Sequence, residues 1–178
     1  VMAIESAGLV EKTTETEQLK PLNVGLLGIG TVGGGTFAVL TRNAAVISRR
    51  AGRPIRIVKV ADKNLELARR VTGGAVALTE DGFALVNDPS IDVVVELIGG
   101  YGIAKDLIMA AISNGKHVVT ANKALLAVHG DEIFAAARAH GVIVAFEAAV
   151  AGGIPIIKAL REGLTANRIQ WIAGIING

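Results

Sequence analysis

Cysteine is absent from this chain of 178 residues. Disulfides, thiolate zinc sites and cysteine nucleophiles are therefore excluded, and the absence fits a cytoplasmic protein. Aromatic residues are scarce, at 3%, which speaks against a sandwich or barrel, where aromatics and regular alternation fill the core. Strong charge of either sign is also missing, since the formal net charge is +2. The densest basic cluster, "SRRAGRPIR" (48–56), has no aromatics interleaved with it. It reads as a solvated helix end and turn, not as a nucleic-acid surface. No uninterrupted apolar run reaches the roughly 18 residues that a membrane helix needs, so no membrane partner is expected. The first twenty residues are acidic and Thr-rich without a basic start, unlike a signal peptide.

What the chain does have is aliphatic. Hydrophobic residues make up 51%, and 22 residues are glycine. Ala, Val, Ile, Leu and Gly dominate wherever helices cover both faces of a parallel sheet. The length suits one domain with a sizeable core.

Strand and helix signals alternate from about Leu22. "NVGLLGIG" (23–30), "PIRIVKVAD" (54–62), "IDVVVELIGG" (91–100), "HVVTAN" (117–122), "VIVAFEAAV" (142–150) and "RIQWIAGIING" (168–178) read as strands. Between them lie helical stretches: 31–52 with a kinked or frayed end, "LELARRV", "GFALVND", 103–115, 123–141 as one helix or two broken at Gly130, and "IPIIKALREGL". Such alternation implies βαβ units with right-handed crossovers. The expected division is a poorly ordered leader over 1–21 and one domain over 22–178. The closing "GIING" has no turn or cap after it and reads as a cut, the alternative being an edge strand that closes the sheet.

"GLLGIGTVGGG" (25–35) places Gly28, Gly30 and Gly33 in G-x-G-x-x-G spacing, directly after a strand and at the opening of a helix. In that context the pattern marks a dinucleotide site: Gly28 makes the tight turn, Gly30 admits a pyrophosphate, and Gly33 lets helix and strand pack closely. The helix N-terminus offers free N–H groups and a positive dipole end to the phosphates. The fold class is therefore α/β: a Rossmann-type, doubly wound, mainly parallel sheet with helices on both faces. The fingerprint calls for an acidic residue after the second strand to hold ribose hydroxyls. Asp62 stands there, in that role, as N-cap of "LELARR", or in both. It would repel a 2′-phosphate, which favours NAD over NADP, while the neighbouring Lys63 would offset that repulsion.

Ligands of open α/β sheets bind at the carboxyl ends of strands. His117 lies at the opposite end and is expected to be structural. Lys123, beside Asn122, lies at the ligand edge, where a lysine can touch a carbonyl oxygen or move a proton; the alternative is an exposed first-turn lysine. Glu147 interrupts an apolar strand and so needs a partner or a cation. The glycine-containing loop after it has carbonyls that a hard cation would accept as ligands. Glu96 raises the same question one strand away: it lines the nicotinamide cleft or pairs with a lysine. His129 and His140 are expected on the surface, and Trp171 in core or interface packing.

Together, "GLLGIGTVGGG", "DVVVELIGG", "NGKHVVTANKALLA", "FEAAVAGGIPIIKALREGL" and "GIING" resemble homoserine dehydrogenase over nearly all of 22–178. The "VVTANK" and "EAAVAGGIP" blocks are specific; the glycine loop alone is not. The resemblance implies NAD(P)-dependent interconversion of L-homoserine and L-aspartate 4-semialdehyde, on the route to threonine and methionine. It implies that Thr31 and Val32 hold the cofactor with the glycine loop. Lys123 becomes the lysine at the cofactor–substrate junction. Glu147, with the carbonyls of Val150, Gly152 and Ile154, becomes a monovalent-cation site, usually for sodium. Two departures matter. Where many NADP-using members carry arginine, this chain has Ala61 followed by Asp62. The family also continues past "GIING" into a domain for substrate and dimerisation, with a second catalytic lysine. The expectation is a nucleotide-binding portion that turns over little by itself, within an enzyme that forms a homodimer or larger. A sugar or imine oxidoreductase is the rival enzyme, though those often carry Glu-Lys-Pro where this chain has Ala-Asn-Lys-Ala. A dinucleotide-binding module without catalysis is the third reading.

Overall fold

The structure is a computed structural model that describes residues 19–174. Most of the expected leader and the closing residues 175–178 lie outside the described residues. Six strands form a single sheet in the order β3-β2-β1-β4-β5-β6: β1 (Leu22–Leu27), β2 (Ile55–Ala61), β3 (Ala77–Thr79), β4 (Val93–Glu96), β5 (His117–Thr120) and β6 (Val144–Ala145). Every pairing is parallel. The doubly wound expectation is met.

Side chains alternate across the pleat, and both faces are covered. Leu27, Val94, Val118 and Val144 face one layer, with α4 (Gly82–Val86), α5 (Gly102–Ser113) and α6 (Lys123–Ala139). Val24, Leu26, Val60, Val93 and Val95 face the other, with Phe37 of α1 (Thr31–Arg42) and Ala68 of α3 (Leu65–Thr72). The strands are apolar on both sides for this reason. The long helical stretch 31–52 breaks at Asn43 into α1 and α2 (Ala44–Ala51). α6 runs unbroken through Gly130, which is buried against Phe134.

At the amino edge of the sheet, polar groups pin the connections. The Asp88 carboxylate pairs with Lys59 and accepts from the Ser90 N–H and hydroxyl. The bond from the Lys59 ammonium holds the Asp88 carboxyl well below the ordinary carboxylate range. Lys116 is buried and donates to the carbonyls of Asp88 and Ile91, at 2.6 and 2.8 Å. Burial lowers its pKa, against the pull of Asp88 and Asp92. His117 lies here, and its Nδ1 accepts the Ile143 N–H at 3.0 Å, a structural role as expected. Arg53 of the basic cluster donates to the Lys20 carbonyl.

Three expectations about elements are corrected. β3 had no counterpart in the strand reading: it is a three-residue edge strand held by β2 alone, too short to show a period. The strand expected over 142–150 stops at Ala145. Phe146 turns to pack on Phe134, with ring centroids 5.1 Å apart, and residues Glu147–Ala149 form a 3₁₀ turn. The strand expected from Arg168 does not form over the described residues 168–174. A strand needs a neighbour to pair with, and the edge strand β6 is only two residues long, so its open side is a short template. Trp171 is 79% exposed and takes no part in the core.

Candidate functional site

β1 and β4 adjoin at the centre of the sheet, and their connections leave toward opposite edges. This is the switch point where open α/β sheets bind ligands. The glycine loop sits there. Gly28 has φ of 91°, and its N–H donates to the Ala61 carbonyl at 2.9 Å. A Cβ on Gly33 would lie 2.0 Å from the Gly28 carbonyl oxygen, so only glycine lets the helix come this close. Helix α1 starts at Thr31 behind Gly30, with no side-chain cap and no acidic residue in its first turn. Its first N–H groups and positive dipole end are left for an anion. Thr31 and Val32 are exposed beside them.

A cavity of about 380 Å³ opens at this edge, lined among others by Gly28, Gly30, Asp62, Lys63, Glu80 and Ile98. Asp62 is held by two backbone groups. Its Oδ2 accepts the Ile29 N–H at 2.7 Å and its Oδ1 accepts the Asn64 N–H at 2.8 Å. The N-cap of α3 is Asn64, whose Oδ1 accepts the Leu67 N–H, so the capping alternative for Asp62 is corrected. The Lys63 ammonium donates to the Glu80 carbonyl at 3.0 Å.

Lys123 opens α6 at the carboxyl end of β5, and it is exposed. Its neighbour Asn122 is buried and caps the helix by accepting the Leu125 N–H at 3.1 Å. Asn122 Nδ2 also donates to the Gly100 carbonyl at 2.7 Å. Glu96, fully buried at the end of β4, pairs with no lysine among the described residues. Its Oε1 accepts the N–H groups of Ile98 and Gly99, at 2.9 and 3.0 Å, and its Oε2 accepts the Thr120 hydroxyl at 2.6 Å. The lysine-pair alternative is therefore corrected: neutral donors hold this carboxylate. Thr120 went unnoticed in the sequence, although a hydroxyl ending an apolar strand was its visible signal.

Glu147 stands in the 3₁₀ turn, half-buried. Its carboxylate accepts the N–H groups of Ile157 and Lys158, at 3.0 and 2.9 Å. It thereby caps α7 (Ile156–Lys158), which runs on as a wider π-type turn over Ala159–Gly163. Between them, Ala151 and Gly152 both have positive φ, 55° and 58°. The Ile154 carbonyl accepts the Ile156 N–H at 2.8 Å. Among the described residues no group of three or more His, Cys, Asp or Glu side chains converges on a metal site. His129 lies 3.7 Å from Glu132, and His140 rests on the Ala136 carbonyl; neither approaches the ligand edge. Among the described residues no helix is long and apolar enough to cross a membrane.

The family model described as "Homoserine dehydrogenase, NAD binding domain" matches residues 28–147. The homoserine dehydrogenase of Pseudomonas aeruginosa is 64% identical over 160 residues, which cover 90% of this chain and 36% of that protein. The homoserine dehydrogenase of Bacillus subtilis is 44% identical over 160 residues, 90% of this chain and 37% of that one. A crystal structure of a homoserine dehydrogenase from Thiobacillus denitrificans superposes with a TM-score of 0.84 at 68% identity, covering 89% of this chain and 37% of that chain. The chain thus spans little more than a third of the length of the relatives it matches.

Proposed function

This chain belongs to the homoserine dehydrogenase family, and from that premise we propose that it is the nucleotide-binding portion of an NAD(P)-dependent homoserine dehydrogenase. The reaction is the interconversion of L-homoserine and L-aspartate 4-semialdehyde, a step toward threonine and methionine. The observation that carries the reading is the joint placement of three features on one sheet edge: the glycine loop after β1, Asp62 after β2 and Lys123 after β5. In this reading the domain covers residues 22–178. The substrate and dimerisation parts belong to the remaining length of such an enzyme, which works in the cytoplasm as a homodimer or larger.

Gly28, Gly30 and Gly33 let the pyrophosphate approach the backbone, and the open N–H groups at Thr31 and Val32 bind its oxygens. Asp62 orients ribose hydroxyls. Residues Asp62, Glu80 and Asp81 put carboxylates beside the cavity, with Lys63 as the cation, and Ala61 stands where arginine would meet a 2′-phosphate. This balance favours NAD. When bound, the dinucleotide supplies or takes the hydride at the semialdehyde carbonyl carbon. Lys123 holds or moves the proton at the carbonyl oxygen, where charge develops.

The cation reading is part of the same proposal. The Glu147 carboxylate and the carbonyls of Val150, Gly152 and Ile154 are oxygen donors of the kind a hard cation takes. Glu147 already caps α7, yet each of its oxygens keeps a second lone pair. Capping and coordination are compatible. The turn also lies against β5, the strand that presents Lys123.

Titration of the chain with NADH and NADPH, followed by calorimetry, tests the core of the reading. Saturable binding of either supports it, with NADH the tighter, and binding of neither overturns it. Homoserine oxidation by an enzyme of full family length containing these residues tests the substrate assignment; activity on a sugar or imine substrate in its place sinks it.

A further inference from the structure

Glu96 is a fully buried carboxylate at the ligand edge, with no cation bonded to it among the described residues. A charge so placed is costly unless hydrogen bonds replace its water. Here three donors do so, and all three belong to the ligand edge: the N–H groups of Ile98 and Gly99 and the hydroxyl of Thr120. The contacts continue as a chain. Glu96 and Thr120 are register partners on β4 and β5. The Thr120 hydroxyl, which donates its hydrogen bond to Glu96, accepts the Asn122 N–H at 3.0 Å. Asn122 then returns to the β4 side and donates to the Gly100 carbonyl. The circuit closes on the segment it started from.

Leu97 is tied to β1 by its N–H on the Leu27 carbonyl at 2.9 Å, but residues 98–100 have little else to hold them. Ile98 is exposed, and Gly99 and Gly100 both have positive φ, at 79° and 75°. Two successive glycines cost entropy to order. The Leu97 carbonyl nevertheless sits where a Cβ on Gly28 would meet it at 3.0 Å, so the segment forms the wall of the cleft opposite the glycine loop. Asp62, and with it the adenosine half of a dinucleotide, lies on the β2 side of the switch point. The nicotinamide half falls on the β4–β5 side, between this segment and Lys123.

We propose that Glu96, Thr120 and Asn122 are positioning residues that lock residues 97–100 and the start of α6 into one unit, and so set the seat of the nicotinamide half and the place of Lys123 beside it. The inference rests on the dinucleotide reading above. It predicts a selective effect: loosening the circuit lowers the fraction of chain competent for the nicotinamide half while leaving the adenosine half untouched.

The test compares NADH with ADP-ribose, which lacks the nicotinamide, on the chain and two variants. Thr120→Val removes the hydroxyl at nearly constant volume; Thr120→Ser keeps it. Expected for Thr120→Val is a loss of about tenfold or more in NADH affinity, with ADP-ribose affinity within about twofold of the unsubstituted chain. Thr120→Ser restores NADH binding to within about twofold. Equal weakening of both ligands in Thr120→Val, or of neither, overturns the proposal. If Thr120→Val does not fold, hydrogen exchange on the unsubstituted chain decides. NADH, but not ADP-ribose, slows exchange over 97–101 and 121–125, and equal protection by both ligands or by neither overturns it. An unsubstituted chain that binds neither ligand overturns the dinucleotide reading itself, a result distinct from any of these.

Discussion

The Asp62 carboxylate accepts the N–H of Ile29 at 2.7 Å, which ties the end of β2 to the glycine loop after β1. One side chain thereby shapes the loop and puts negative charge beside it, where the proposed reading seats the adenosine ribose. Asp62→Ala removes both. NADH affinity is expected to fall by about tenfold or more, and stability by about 1–3 kcal/mol, because the Ile29 N–H loses its acceptor. Asp62→Asn keeps one acceptor oxygen and discards the charge. The ratio of NADPH to NADH affinity should then rise severalfold, read by calorimetry; an unchanged ratio refutes the charge argument.

The glycines of the loop divide into two kinds. A Cβ on Gly33 would clash with the Gly28 carbonyl oxygen, whereas a Cβ on Gly30 meets nothing within 4 Å. Gly33→Ala is therefore expected to destabilise the chain by about 3 kcal/mol or more, or to prevent folding. Gly30→Ala should cost about 1 kcal/mol or less yet abolish most dinucleotide binding, because its methyl fills the approach of the pyrophosphate. Urea denaturation and ligand titration on both variants separate the two effects.

Lys123 is exposed at a helix N-terminus, the less favourable end for a cation. Lys123→Met should leave stability unchanged or raise it by a few tenths of a kcal/mol. In an enzyme of full family length the same change should lower kcat by about 10²–10⁴-fold. Stability that drops by more than about 1 kcal/mol would mean that the lysine serves the fold instead.

Asp88 gives a pH dependence. Its carboxyl is held below the ordinary range, mainly by the bond from Lys59, so the unfolded chain takes up this proton first as pH falls. The stabilisation is therefore fully present above the unfolded value of about 4 and is lost as pH drops further toward the folded value. Asp88→Asn should be less stable than the unsubstituted chain at pH 7 by about 1–2 kcal/mol. The gap should narrow between about pH 4 and pH 2. Urea titrations at pH 7, 5 and 3 follow it, and a gap that widens on acidification contradicts the assignment.

Much of the candidate site was legible because its residues act through backbone geometry near them in sequence. Gly28, Gly30 and Gly33 declare a turn and a close approach wherever they follow a strand. Lys123 declares itself as a charge at the carboxyl end of an apolar strand. Glu147 shows where such reading ends. Its apolar neighbours continue the pattern of a strand, but the Phe146 ring finds Phe134 and the carboxylate finds the N–H groups ten and eleven residues ahead. Both partners are remote, and no local period reveals them. β3 escaped notice for a like reason: three residues become a strand only because β2 has a free edge. By residue type Trp171 reads as core or interface packing, yet no element of residues 19–174 covers it.

The sequence by itself determined the alternation of strands and helices, the glycine turn and the edge at which Asp62 and Lys123 emerge. These follow from residue periodicity and from the rule that parallel strands present their carboxyl ends together. Only the tertiary structure decided what those residues hold. It turned Asp62 onto the Ile29 N–H, gave Glu96 three neutral donors in place of a lysine, and set Thr120 between Glu96 and Asn122. The physical reason is register: β4 and β5 must pair before Glu96 and Thr120 become neighbours, and they stand 24 residues apart along the chain.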